Sequence, residues 1–249
     1  MRLTLVRHAT LLIVMGGTRL LVDPMLDPAG ARPPIEDSSN QQPNPLVELP
    51  VPAERVVEGV DAVVVTHLHA DHLDPTGGRL IGALPVLCQP EDAPRLAGGG
   101  LDARALDGPV AVGAITVTRT GGRHGTGALG DSLGPVSGVV LRAEGEPTVY
   151  VAGDTILCDE VRDALREHAP EVVVVNAGGA RFIAGDPITM DADDVVGVAR
   201  AAPGAEVVAV HMEAINHCLL TRADLGERLA VEGLADRVHV PGDGTALGS

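Results

Sequence analysis

Residues 61–75, DAVVVTHLHADHLDP, decide how the rest of the chain is read. Val63-Val64-Val65 is a short apolar run of the kind that forms a buried strand, and Asp74-Pro75 opens a turn after it. Between them lies Thr66-His67-Leu68-His69-Ala70-Asp71-His72, which places four potential metal ligands within six residues. His and Asp are rarely grouped for packing, and a cluster directly after a strand puts their polar heads at one edge of a sheet. Three neutral imidazoles and a carboxylate are a donor set for Zn²⁺ or a similar divalent ion, and two ions could share them.

The remainder of the sequence narrows the setting. A chain of 249 residues can bury one large core. With one Phe, one Tyr and no Trp, that core must be built from Val, Leu, Ile and Ala, and a pocket has almost no rings to stack on a base or sugar. The formal charge of −16 argues against nucleic acid, because phosphate binding requires a basic surface. Lys is absent from the sequence, which excludes Schiff-base chemistry on a lysine. Cys88, Cys158 and Cys218 are odd in number and widely spaced, as expected of reduced thiols in a cytoplasmic protein. No apolar run approaches the roughly 18 residues of a membrane helix.

Taken in order, residues 2–14 and 19–23 read as paired strands around Gly16-Gly17, closed by Asp23-Pro24. His8 could face a pocket from the first strand or be a half-buried structural residue. Asp23 could accept the free N–H of a ligating His, or simply form the turn before Pro24. Residues 24–56 show no period and read as a long excursion forming part of a pocket rim. A helix from Pro75 to about Leu84, a strand at 85–88, a short helix ending near Gly98 and strands within 110–119 follow. This alternation predicts layered α/β architecture.

His124 stands after a strand among glycines, which let the backbone approach an ion closely; no GK[ST] follows, so the segment is not a P-loop. Strands at 136–141 and 148–151 lead to Ala152-Gly153-Asp154-Thr155, where Asp154 could be a ligand or a helix N-cap. A helix over 159–168 and a strand over 171–175 precede Asn176-Ala-Gly-Gly-Ala-Arg181, a candidate pocket wall. Arg181 could hold an anionic group or form a surface salt bridge. A helix from Ala192 to about Ala202, capped within Thr189-Met-Asp191, leads to strand 206–210. His211 follows that strand, and His217 could contact substrate or support a ligand. A helix from Thr221 and a strand at 238–240 complete the chain.

HLHADH matches the HxHxDH signature of the metallo-β-lactamase fold superfamily, and the whole chain resembles it from Asp23 to His211. That resemblance implies a single domain over residues 1–249, folded as a four-layer αββα sandwich. It implies His67, His69 and His124 on one metal, Asp71, His72 and His211 on the other, and Asp154 shared, with Asp71 and His211 assigned to catalysis. Two divalent ions are implied, Zn first and Mn or Fe as alternatives, activating a water near neutral pH. The segments RHATLLI, LVDP, GDT and VHMEAINH resemble the ascorbate-phosphate lactonase-like branch of metal-dependent hydrolases. The expected activity is therefore metal-assisted cleavage of a small-molecule ester, lactone or related bond. Its competitors are a phosphodiesterase or nuclease on the same fold, a metal-binding protein without turnover, and a non-haem iron oxidoreductase. The expected partner is a small molecule, with neither nucleic acid nor membrane; oligomeric state is left open.

Overall fold

Valine-rich runs without alternation become central parallel strands, covered on both faces as such strands must be. The computed structural model describes residues 1–248. Its first sheet contains β1 (Arg2–Arg7), β2 (Thr10–Met15), β3 (Thr18–Val22), β4 (Ala62–Val65), β5 (Pro85–Cys88) and β6 (Asp102–Ala105) in sequence order, with β14 (Ala246–Leu247) beside β1. The second runs β13-β12-β11-β10-β9-β8-β7. Its strands are β7 (Val110–Val112), β8 (Ile115–Thr120), β9 (Gly138–Arg142), β10 (Val149–Val151), β11 (Val172–Asn176), β12 (Glu206–Val210) and β13 (Val238–His239). Strands β3 to β6 are mutually parallel, as are β10 to β13.

The two sheets face each other across a core that includes Leu5, Ile13 and Val64 from one and Val117, Leu141 and Val174 from the other. Truncating such a residue, Leu141→Ala for instance, would cost about 2–5 kcal/mol. Helices α1 (Ala53–Val57), α2 (Pro75–Ile81) and α3 (Ala93–Gly98) cover the outer face of the first sheet over Val63, Val65 and Val86. Helices α5 (Asp159–His168), α6 (Ala192–Ala201) and α7 (Arg222–Val231) cover the second, burying Val161, Leu165, Val195 and Leu225. The result is the expected αββα sandwich. A short α4 (Gly127–Leu133) lies outside these layers, at the mouth of the site.

Several boundaries differ from the sequence reading. Residues 2–14 are two strands rather than one, because the chain reverses at His8-Ala9 with His8 in the left-handed region at φ 62°. The excursion at 24–56 contains an isolated bridge between Arg32 and Asn44 as well as α1. Helix α2 stops at Ile81, and β6 and α4 were not anticipated. Asp154 does not cap a helix: α5 begins after Cys158. Asp191 does cap α6, accepting from the backbone N–H groups of Asp193 and Asp194.

Candidate metal centre

The C-terminal ends of β3 and β4 in one sheet and of β10, β11 and β12 in the other deliver Asp23, Thr66 to His72, Asp154, Asn176 and His211 to one edge of the sandwich, the strand end at which α/β folds collect their ligands. Asp23, at φ 46°, organises the first of these loops. Its carboxylate accepts the N–H and O–H of Thr66, both at 2.8 Å, and lies 2.8 Å from His72 Nδ1. That last contact assigns the proton to Nδ1 and leaves the His72 Nε2 lone pair facing the cluster. Asp23 is thus more than a turn residue. The loop itself closes by N–H groups of His72 and Leu73 donating to the His69 carbonyl at 3.0 Å.

Asp154 is central. Its Oδ1 accepts from Asn176 Nδ2 at 2.6 Å and lies 3.2 Å from His211 Nε2; Oδ2 lies 3.2 Å from His72 Nε2 and 3.7 Å from His124 Nε2. The turn that places it requires Gly153, at φ 71°, because a Cβ there would meet the Ser137 carbonyl oxygen at 2.5 Å. His124 presents Nε2 because Nδ1 donates to the Ile188 carbonyl at 2.8 Å. His67 Nε2 and His69 Nδ1 stand 2.8 Å apart.

His211 is also left-handed, at φ 66°, and its N–H donates to the His8 carbonyl at 2.9 Å. Each left-handed non-glycine residue costs roughly 1–2 kcal/mol, so three of them (His8, Asp23 and His211) are held here by the hydrogen bonds around them. His8 is fully buried with Nε2 3.2 Å from Asp71 Oδ2, which brings it beside the cluster without lining the cavity.

These donors fall into three overlapping groups: His67, His69 and His124; His67, His72 and Asp154; and His8, Asp71, His72 and His211. The residues fit divalent metal. The Nε2 atoms of His72 and His211 are buried with no hydrogen-bond partner among the described residues, although carboxylate oxygens lie 3.2 Å away. A tetrahedron of donors with bonds of about 2.0–2.1 Å has edges of about 3.3 Å, close to these separations. Charge agrees. Burial works against ionised Asp71 and Asp154, yet the surrounding imidazoles hold both carboxyls well below their ordinary range. With the imidazoles neutral, as ligation requires, the two buried carboxylates need another positive charge, which a divalent ion would supply.

The cluster opens into a cavity of about 420 Å³. Pro33, Ile35, Leu68, Leu133, Phe182, Ile188 and Ile215 supply apolar wall, and His69, Asp71, His124, Asp154 and His217 line its polar end. His217 is buried, with Nδ1 free of hydrogen bonds among the described residues. The excursion contributes Arg32, Pro33, Ile35 and Asn44, so it does form a rim. Arg181 is a correction. Ala180 is bridged to Cys218 and buried, so the next residue turns outward, and exposed Arg181 lies in a separate cleft with Asp191 and Arg228. Phe182 faces the cavity in its place.

The matching family model is the beta-lactamase superfamily domain, over residues 18–212. The chain belongs to that superfamily. It is 34% identical over 249 residues to UPF0173 protein YddR of Bacillus subtilis (strain 168), covering 98% of both chains. Its structure is similar to that of an isothiocyanate hydrolase from Delia radicum gut bacteria, at TM-score 0.94 and 36% identity over 100% of this chain and 99% of that one. A possible metal-dependent hydrolase from Veillonella parvula DSM 2008 matches at TM-score 0.95 and 34% identity, over 99% and 98%. Within the superfamily the chain is a metal-dependent hydrolase.

Two residues of this site escape sequence reading. Asn216, 1% exposed, takes Ile35 N–H (3.0 Å) and Asn44 Nδ2 (2.7 Å) on its Oδ1, and its amide N–H₂ faces the carbonyls of Ile35 (3.0 Å) and Asn40 (2.6 Å). It ties the rim to the His211–His217 segment. Its partners lie more than 170 positions away, so no local pattern marks it. Phe182 could have been noticed as the single Phe after a Gly-rich loop.

Proposed function

We propose that this hydrolase holds two divalent ions, one on His67, His69 and His124 and one on Asp71, His72 and His211, with Asp154 between them. We further propose that it cleaves small, neutral, largely apolar electrophiles. The observation that supports the reading is that Asp154 lies within 3.2–3.7 Å of His72, His124 and His211, between overlapping donor groups at the polar end of an apolar cavity. Bound there, divalent ions supply Lewis acidity and acidify water. Zn suits the nitrogen-rich donor set, with Mn and Fe as alternatives.

The chain's own residues do the rest. Asp23 and Ile188 fix which nitrogen of His72 and His124 faces inward. The walls from Leu68, Phe182, Ile188 and Ile215 seat an organic substituent and exclude bulk water from the reacting carbon. Arg32, the arginine lining this cavity, sits 3.3 Å from Asp27, so its charge is partly neutralised. Together with the net charge of −16, that disfavours phosphodiesters. Among neutral electrophiles, isothiocyanates come first because of the similar hydrolase; water adds across R–N=C=S to give amine and carbonyl sulfide. Lactones and simple esters come second.

The test is a panel of alkyl and aryl isothiocyanates, a lactone, a p-nitrophenyl ester and bis-p-nitrophenyl phosphate, each with and without chelator. Chelator-sensitive turnover of the neutral substrates is expected. Turnover confined to the phosphodiester would contradict the reading.

A further inference from the structure

We propose that His8 is a direct ligand of the ion held by Asp71, His72 and His211, a sixth imidazole in the centre. The proposal rests on the two-ion reading above and extends it to a residue outside the HxHxDH motif.

Asp71 Oδ2 is the oxygen that faces the cluster, and three imidazole nitrogens converge on it. His8 Nε2 lies at 3.2 Å, His211 Nε2 at 3.6 Å and His72 Nε2 at 3.9 Å. A carboxylate oxygen only accepts, and the His72 Nε2 is itself a lone pair because Nδ1 carries the proton, so Asp71 Oδ2 cannot satisfy it. A cation among the four atoms satisfies all of them, since every donor lies within 4.8 Å of the others. The His8 ring also lies over the His211 ring, with centroids 3.6 Å apart and planes at 35°. With both Nε2 atoms within 3.6 Å of Asp71 Oδ2, the two rings present them to the same region, as two ligands of one ion require.

The backbone is arranged for this. His8 reaches inward because the chain turns left-handed at φ 62° between β1 and β2 instead of continuing as strand. Its carbonyl accepts the N–H of His211, so the two rings are fixed relative to each other by main chain. A ligating His8 would present the Nε2 lone pair and keep its proton on Nδ1, which has no hydrogen-bond partner among the described residues.

A consequence follows for the two ions. The one at His8 receives protein donors from Asp71, His72, His211 and the shared Asp154 as well, and is close to saturated. The other keeps positions open toward the cavity. Chelator should therefore remove the ions in two phases, the second slower.

The direct test is nuclear magnetic resonance of the full-length wild-type protein carrying ¹¹³Cd and ¹⁵N-labelled histidine. Six of the nine histidine rings, His8 among them, should show ¹¹³Cd–¹⁵N coupling. Cadmium bound with five coupled rings and none from His8 would overturn this proposal while sustaining the two-ion reading. Protein that takes up no cadmium would overturn both. In parallel, His8→Gln should weaken the slowly removed ion at least about tenfold while circular dichroism stays unchanged. An unaltered second phase in a folded variant would contradict the assignment.

Discussion

His69 and His72 stand three residues apart on one loop, yet they serve differently built halves of the cluster. On the side of His67, His69 and His124, two of the three imidazoles (His69 and His124) line the cavity, as Asp71 does from the other side; His69 is half-buried, and His124 is oriented by its bond to the Ile188 carbonyl. On the side of His8, Asp71, His72 and His211, all three imidazoles are fully buried. Asp23 holds His72, the His8 carbonyl holds the His211 backbone, and Cys218 Sγ lies 3.5 Å from His211 Nδ1. On the proposed two-ion reading, one half is a fixed base and the other is the face presented to substrate, with scaffolding concentrated where the ion need not exchange partners.

Breaking the shared residue should erase the distinction. Asp154→Asn keeps the shape but removes the charge that both halves use, so kcat/KM is expected to fall by more than about 100-fold, beyond the loss of one orienting partner. Elemental analysis of the same protein should show fewer than two ions per chain. Removing the anchor of one half should expose the asymmetry instead. Asp23→Ala is expected to weaken the ion on the His72 side by about 10–100-fold in chelator competition, leaving the other unchanged. The same variant leaves the buried Thr66 N–H without its acceptor, so urea unfolding should show a loss of about 1–3 kcal/mol. The smallest effect belongs to the rim. Asn216→Ala frees the 35–44 segment from the cavity wall, which should raise KM by about five- to thirtyfold, the equivalent of one or two kcal/mol, with both ions retained. Steady-state kinetics with metal analysis separates that outcome from damage to the centre.

The sandwich was legible because its strands are runs such as Val63–Val65 and Val172–Val175, where apolar continuity and short length leave little choice. The donor set of the central loop was legible for a similar reason: four donors sit within six residues. His124, Asp154 and His211 were legible through their position after strands, aided by resemblance. What stayed hidden depends on tertiary contact. The reversal at His8 carries no Gly, Pro or Asn, so the first two strands read as one and the role of His8 stayed open. Arg181 stood open between a pocket and a surface role, and the bridge between Ala180 and Cys218 sets the alternation that sends it outward. Asn216 binds a loop distant in sequence, and β6, with its alternating half-exposed pattern, gives no strong apolar signal.

The central claim is that two ions sit in unequal halves joined at Asp154. Elemental analysis of protein purified without added metal tests it most directly, with a His67→Ala/His69→Ala double variant alongside. Two divalent ions per wild-type chain are expected, and one in the double variant, retained by the buried half, with hydrolysis lost. Wild-type protein that holds no metal even after reconstitution, or a double variant that keeps both ions, would contradict it.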